Sequence, residues 1–145
     1  MSRLLVIAAI AWPLFLAAGL RSHIHGGPAW ITAGVYLTAG RVCHQSPERS
    51  FRTAGAQWPV CGRCAGLYLA GPLGALAAVL VRRRANTTPW TWMAVAALPT
   101  AATFVMEFAG LADVTSRARF LAALPLGAAV AFAIVTVTRR PPAIG

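Results

Sequence analysis

The sequence predicts an all-α integral membrane protein, a bundle of four continuous transmembrane helices and one marginal one. Three observations predict it. The chain of 145 residues is 58% hydrophobic and 11% charged, and its mean hydropathy of +0.65 is too high for an ordinary soluble globule. Its apolar residues gather into runs of the length that crosses a bilayer as a helix, about 17 to 25 residues. Its arginines stand largely at the ends of those runs, where a lipid headgroup meets them. The length suits one membrane domain covering residues 1–145.

The net charge of +10 would point a soluble chain toward nucleic acid, because fixed cations release counterions from phosphates. Here the placement of the arginines assigns them to the bilayer, and no nucleic-acid partner is expected. All basic residues other than the histidines are arginine. That composition suits bidentate anion binding, and it also follows from base composition in an Ala-rich chain.

The first span, 4–20, is an unbroken apolar run bounded by Arg3 and Arg21. A signal peptide shares this pattern, but the run is longer than a typical signal core and more membrane segments follow it. The Gly-rich link after it carries His23 and His25, a His-x-His pair that can share a metal or simply stay solvated. The marginal span, 29–42, is interrupted by Thr32, Thr38 and Arg41. Polar neighbours packed around it would let it cross; otherwise it is re-entrant or interfacial, and crossing is the expectation.

Residues 43–61 have no helical periodicity and carry Pro47, Gly55 and Pro59, which makes them a structured loop. The span 62–81 repeats Gly66, Ala70, Gly74 and Ala78 every four residues, so one face of small side chains lets another helix approach closely. The spans 90–108 and 120–138 follow, the first opening on Trp90 and Trp92, which suit a headgroup boundary. Pro13, Pro72, Pro99 and Pro125 fall inside the four continuous spans, where proline frees backbone carbonyls and permits kinks.

Five crossings place the 43–61 loop and the connector before 120 on one membrane face. That face carries Arg41, Arg49, Arg52, Arg63, Arg117 and Arg119 with all three acids, Glu48, Glu107 and Asp113. The other carries Arg21, Arg82 to Arg84, and Arg139 with Arg140, and no acid. With Arg3 added, the count is seven against six, almost a tie for the positive-inside rule. Arginines engaged by acids are weaker topology signals than bare clusters. The expectation is a cell-membrane protein with Arg82 to Arg84 and the C-terminus in the cytoplasm and the cysteine loop on the outer side.

The chemistry concentrates between Arg41 and Gly66, which holds all three cysteines. An odd number excludes a full disulfide framework. Cys61-Gly62-Arg63-Cys64 is a CxxC motif at the start of a helix, where free amides and the helix dipole favour thiolate, and Arg63 pushes the same way. Two thiolates at this spacing either cycle through a disulfide or form half of a metal site. Cys43 supplies a third sulfur, and the metal most suited to the set is zinc. His44 can add a nitrogen, although adjacent residues rarely both reach one ion, so His23, His25 or water also stand as fourth ligands. Ala65 after Cys64 rules out a haem c attachment. A membrane disulfide exchanger of the quinone-linked kind normally has a second cysteine pair. Three buried thiols with no ligand form the blandest alternative.

The run Pro47 to Arg52 adds a second chemistry. Arg49 and Arg52 can clamp a phosphate or carboxylate, Ser50 can donate to it, and Arg119 can join from the later connector. The same arginines can instead pair with Glu48, Glu107 and Asp113 and lock the loop to the bundle.

The motifs Cys43-His44-Gln45, Pro47-Glu48-Arg49-Ser50-Phe51 and Pro59-Val60-Cys61-x-Arg63-Cys64-x-Gly66-x-Tyr68 resemble the signature of a family of small prokaryotic membrane proteins, the domain of unknown function 2085. Ser116-x-x-Arg119-Phe120 is similar to that family's final motif. The resemblance covers the chain from about Val35 onward and implies a polytopic membrane protein, with no activity to transfer. Function therefore reads as a metal-stabilised module that binds or transports a small anionic or lipid-like ligand. The alternatives are a thiol-disulfide or quinone-linked redox enzyme using Cys61 and Cys64, and a structural subunit of a membrane assembly. Expected partners are the bilayer, an anionic small molecule or lipid headgroup, and a second copy or another membrane protein.

Overall fold

A computed structural model describes residues 2–81 and 89–139. The elements are α1 (Ser2–Ile24), α2 (Ala29–Gly40), a 3-10 turn (Pro47–Arg49), β1 (Ser50–Thr53), β2 (Ala56–Cys61), α3 (Gly62–Leu80), α4 (Pro89–Phe108) and α5 (Ser116–Thr138). Among the described residues, four of the five helices, α1, α3, α4 and α5, are long and apolar enough to cross a membrane. The Arg82 to Arg84 cluster and Arg140 lie outside the described residues.

The marginal span is a helix, shorter than the four candidate spans. At 1.5 Å per residue the 12 residues of α2 extend about 18 Å, short of the ~30 Å hydrocarbon layer. It folds back along the last turns of α1: Thr32 donates to the Ser22 hydroxyl at 3.2 Å, and Gly19 lies directly against Val35. Leu16, Val35 and Ala39 then join one core with Cys43. This changes the distribution of arginines. Leu5, Val6 and Ala9 near the start of α1 pack against Ala75, Ala78 and Val135 near the ends of α3 and α5. Arg3 therefore belongs to the end opposite the cysteine loop, and Arg21 to the same end as that loop, the reverse of what five crossings give.

The centre of the bundle is the parallel pair α3 and α5. Gly62 meets the backbone of Ser116, Gly66 that of Phe120 and Gly74 that of Ala128, while Gly127 meets Leu67 from the other side. A Cβ at any of these points would overlap a carbonyl, so glycine is what lets the two backbones touch. The small stripe of Gly66, Ala70, Gly74 and Ala78 is buried. Because hydrocarbon offers no hydrophobic drive between helices, this contact rests on close packing. α4 lies outside, its apolar residues facing away from the bundle.

The structured loop contains an antiparallel hairpin that its sequence does not signal. Ala54 and Gly55 form its two-residue turn with φ of 49° and 81°, both left-handed, as a type I′ turn requires. Alanine in the place where Asn or Asp is usual hid this signal. β2 bulges between its pairings of Cys61 with Ser50 and of Gln57 with Arg52, which accommodates Pro59 and delivers Cys61 to the first turn of α3.

Candidate metal centre

Three successive pieces of chain deliver the three cysteines. Cys43 follows α2, and its N–H donates to the Ala39 carbonyl at 2.9 Å, extending the end of that helix. Cys61 ends β2 and occupies the N-cap of α3 with extended backbone. Cys64 sits one turn further along α3 on the same face. Their sulfur atoms all lie within 4.8 Å of one another, and none is in a disulfide.

The surroundings favour a thiolate at Cys43. It is buried at 6% exposure, yet its sulfur accepts the Cys61 backbone N–H at 3.2 Å. Hydrogen bonds from the Cys61 and Cys64 thiols, with that N–H, hold the Cys43 thiol far below its usual range despite burial. Arg63, expected to favour the thiolates, is turned elsewhere. Its Nη2 donates to Glu107 Oε2 at 2.9 Å and lies 3.5 Å from the Thr103 hydroxyl, with its guanidinium over the Phe104 ring.

The donor set fits a thiophilic ion. Zinc binds thiolates at about 2.3 Å, which sets tetrahedral sulfurs about 3.8 Å apart. The three sulfurs come within small side-chain adjustments of that spacing. His44 is exposed and is not part of the cluster; His23 and His25 are also exposed, with His23 Nδ1 3.3 Å from the Tyr36 hydroxyl. Among the described residues no His, Asp or Glu joins the three sulfurs, so an ion held there would take its fourth ligand from water or an exogenous group.

A network of amides holds the loop beside the cysteines. Gln45, with a left-handed φ of 52°, donates to the carbonyls of Tyr36 at 2.8 Å and Pro59 at 2.7 Å. Gln57 donates to the Gln45 carbonyl at 2.6 Å, and the Tyr36 hydroxyl donates to the Gln57 carbonyl. Burial raises the Tyr36 hydroxyl pKa. The motif contained Gln45, but only the fold shows that it ties α2 to β2. Gln57 and Tyr36 carried no sequence signal for this role.

The arginines divide into two groups. Arg119 is buried and directs Nε, at 3.0 Å, and Nη2 to Glu107 Oε1. Arg63 takes the other oxygen, so one carboxylate joins the start of α3, the end of α4 and the start of α5. Arg49 and Arg52 are exposed on the hairpin segment and form no ion pair among the described residues. Ser50 is buried and donates to the Ser46 carbonyl at 2.8 Å. Arg119 and Ser50 thus already have partners within the fold, Glu107 and the Ser46 carbonyl. Among the described residues, Glu48 and Asp113 form no ion pair.

Next to the cysteines is an apolar cavity of about 110 Å³ between α1, β2 and α3, bordered by Pro13, Leu16, Trp58, Val60, Ala65 and Tyr68 among others. Val60 and Ala65 are immediate neighbours of Cys61 and Cys64 in the chain. Nothing in the linear pattern disclosed this space, because its walls come from three separate elements.

Residues 43–133 match a family described as a predicted membrane protein, DUF2085. An uncharacterized protein of Methanocaldococcus jannaschii is 27% identical over 110 residues, covering 74% of this chain and 70% of that one. An uncharacterized protein of Methanothermobacter thermautotrophicus is 30% identical over 90 residues, covering 62% of this chain and 81% of its own length. No solved structure matches.

Proposed function

We propose, on the premise that this chain belongs to the DUF2085 family of predicted membrane proteins, that it is a metal-stabilised membrane module for a small anionic or lipid-like ligand. Zinc held by Cys43, Cys61 and Cys64 fixes the loop to the bundle. The observation that carries this reading is the convergence of three unpaired thiols from α2, β2 and α3 within 4.8 Å. A disulfide pair needs two sulfurs; a third within 4.8 Å of both suits a shared ion. Binding free energy at such a centre is folding free energy, since the ligands come from separate segments.

The ligand face is the one that presents exposed Arg49 and Arg52 beside the metal loop. Arg63 and Arg119 are occupied by Glu107, which supports discounting them as topology signals and placing the cysteine loop on the outer side. The outward apolar face of α4 leaves room for a second copy or another membrane protein.

The position of the CxxC motif in the first turn of α3 favours a second reading. Cys61 and Cys64 would form a disulfide, passing two electrons and two protons to a quinone-type acceptor. Alkylation of the isolated, unreduced protein separates the two. The metal reading predicts thiols that resist alkylation until a chelator is added; thiols that need a reductant instead would favour the redox reading.

A further inference from the structure

We infer that the cavity between α1, β2 and α3 holds a stretch of one hydrocarbon chain of an anionic membrane lipid, with the lipid phosphate at the exposed hairpin arginines. The inference rests on the reading of this face as a site for a lipid-like ligand, and it names the ligand class and the position of each part.

The cavity walls are almost entirely apolar. Its volume of about 110 Å³ admits a short stretch of hydrocarbon chain. Pro13, Leu16 and Ala17 of α1 face Ala65 and Leu69 of α3 across it, all within helices long enough to span. Ala17 and Leu69 are both exposed, so the opening lies on the bilayer-facing side of the bundle. What meets that opening is acyl chain, and an unfilled apolar void would forfeit dispersion contacts with its lining.

The upper boundary is β2. Trp58 lines the cavity with its ring, while its indole N–H donates to the Thr53 hydroxyl at 2.9 Å, so one side chain joins the apolar space to the polar hairpin. An aromatic ring with one apolar and one polar side suits the boundary between acyl chains and headgroups. Phe51 packs on Trp58 with ring centres 5.2 Å apart, while Arg52, next in β1 and opposite Gln57, starts from the other face of the hairpin and reaches the headgroup level through its long side chain. Arg49 and Arg52 are exposed and form no ion pair among the described residues. A phosphate at this edge meets guanidinium groups that the fold has not otherwise used.

The test uses the full chain with Trp58 as its single tryptophan, Trp12, Trp30, Trp90 and Trp92 each replaced by phenylalanine. The protein is reconstituted in vesicles of phosphatidylglycerol brominated on the acyl chain, and separately in brominated phosphatidylcholine. The expected result is strong quenching of Trp58 by phosphatidylglycerol, weaker quenching by phosphatidylcholine, and loss of the difference in Ala17→Phe, which fills the cavity mouth. Ala18→Phe, at the adjacent exposed position, should retain it. Equal quenching in Ala17→Phe and Ala18→Phe would overturn the inference, and so would equal quenching by the two lipids. Metal content measured on the same samples reports on the thiolate centre independently: its absence with quenching intact would strike the zinc reading and leave the lipid site standing.

Discussion

Cys61 donates its backbone N–H to the sulfur of Cys43 across 3.2 Å, joining residues 18 apart in sequence at the start of α3. The amide at a helix N-terminus has no partner within its own helix, and here the partner is a sulfur from the preceding loop. A thiolate accepts that bond better than a thiol, so helix capping and metal-ligand chemistry favour the same protonation state. The end of α2, the end of β2 and the first turn of α3 are thereby fixed to one point.

Glu107 balances two guanidinium groups at the opposite side of α3. Glu107→Gln keeps the shape and removes the charge, leaving Arg63 and Arg119 without a counterion. Breaking a buried pair in this way costs about 3–5 kcal/mol, and thermal unfolding in detergent should reveal a large loss of stability. Unchanged unfolding would show that the triad carries little of the bundle's stability.

Gly74 and Gly71 provide a paired test of the α3–α5 contact. A Cβ at Gly74 runs into the Ala128 backbone, whereas one at Gly71 meets nothing within 4 Å. Gly74→Val should destabilise the protein by about 1–3 kcal/mol, as overpacking of a close contact does, and Gly71→Ala should be tolerated. Equal effects at both positions would contradict the parallel glycine contact.

The arrangement in which α1, α3, α4 and α5 cross and α2 folds back makes a testable prediction of sidedness. With the three native cysteines kept, epitope tags inserted at Gly55 and Asp113 should be labelled from one side, and tags at Arg3 and Val81 from the other. Arg3 labelled together with Gly55 would restore α2 as a crossing helix.

At the hairpin, Arg49→Lys should weaken retention of phosphatidylglycerol nearly as much as Arg49→Ala, because lysine keeps the charge and loses the planar fork. Lipid retention measured by native mass spectrometry checks this. Full retention in the lysine variant would make Arg49 a point charge.

The sequence disclosed what depends on local pattern. Apolar runs marked the four long helices, the four-residue spacing of Gly66, Ala70, Gly74 and Ala78 marked the buried face of α3, and Cys43 with the CxxC motif marked the convergent site. What was hidden depends on nonlocal geometry. Thr32 looked like an interruption in a span, yet it ties α2 to Ser22 at the end of α1. Arg63 sits between the two cysteines in sequence, but in a helix its side chain leaves on another face and reaches Glu107, 44 residues away. Arg119 meets the same carboxylate and so leaves the expected clamp. Ala54 adopts a left-handed conformation that its identity does not advertise.

Metal content is the most direct test of the three-thiol centre. Elemental analysis of the purified chain should give about one zinc per protein, and Cys43→Ser, Cys61→Ser and Cys64→Ser should each lose the ion and lose stability to a similar degree. A metal-free protein that holds a reducible Cys61–Cys64 disulfide, and that folds normally as Cys43→Ser, would contradict the account.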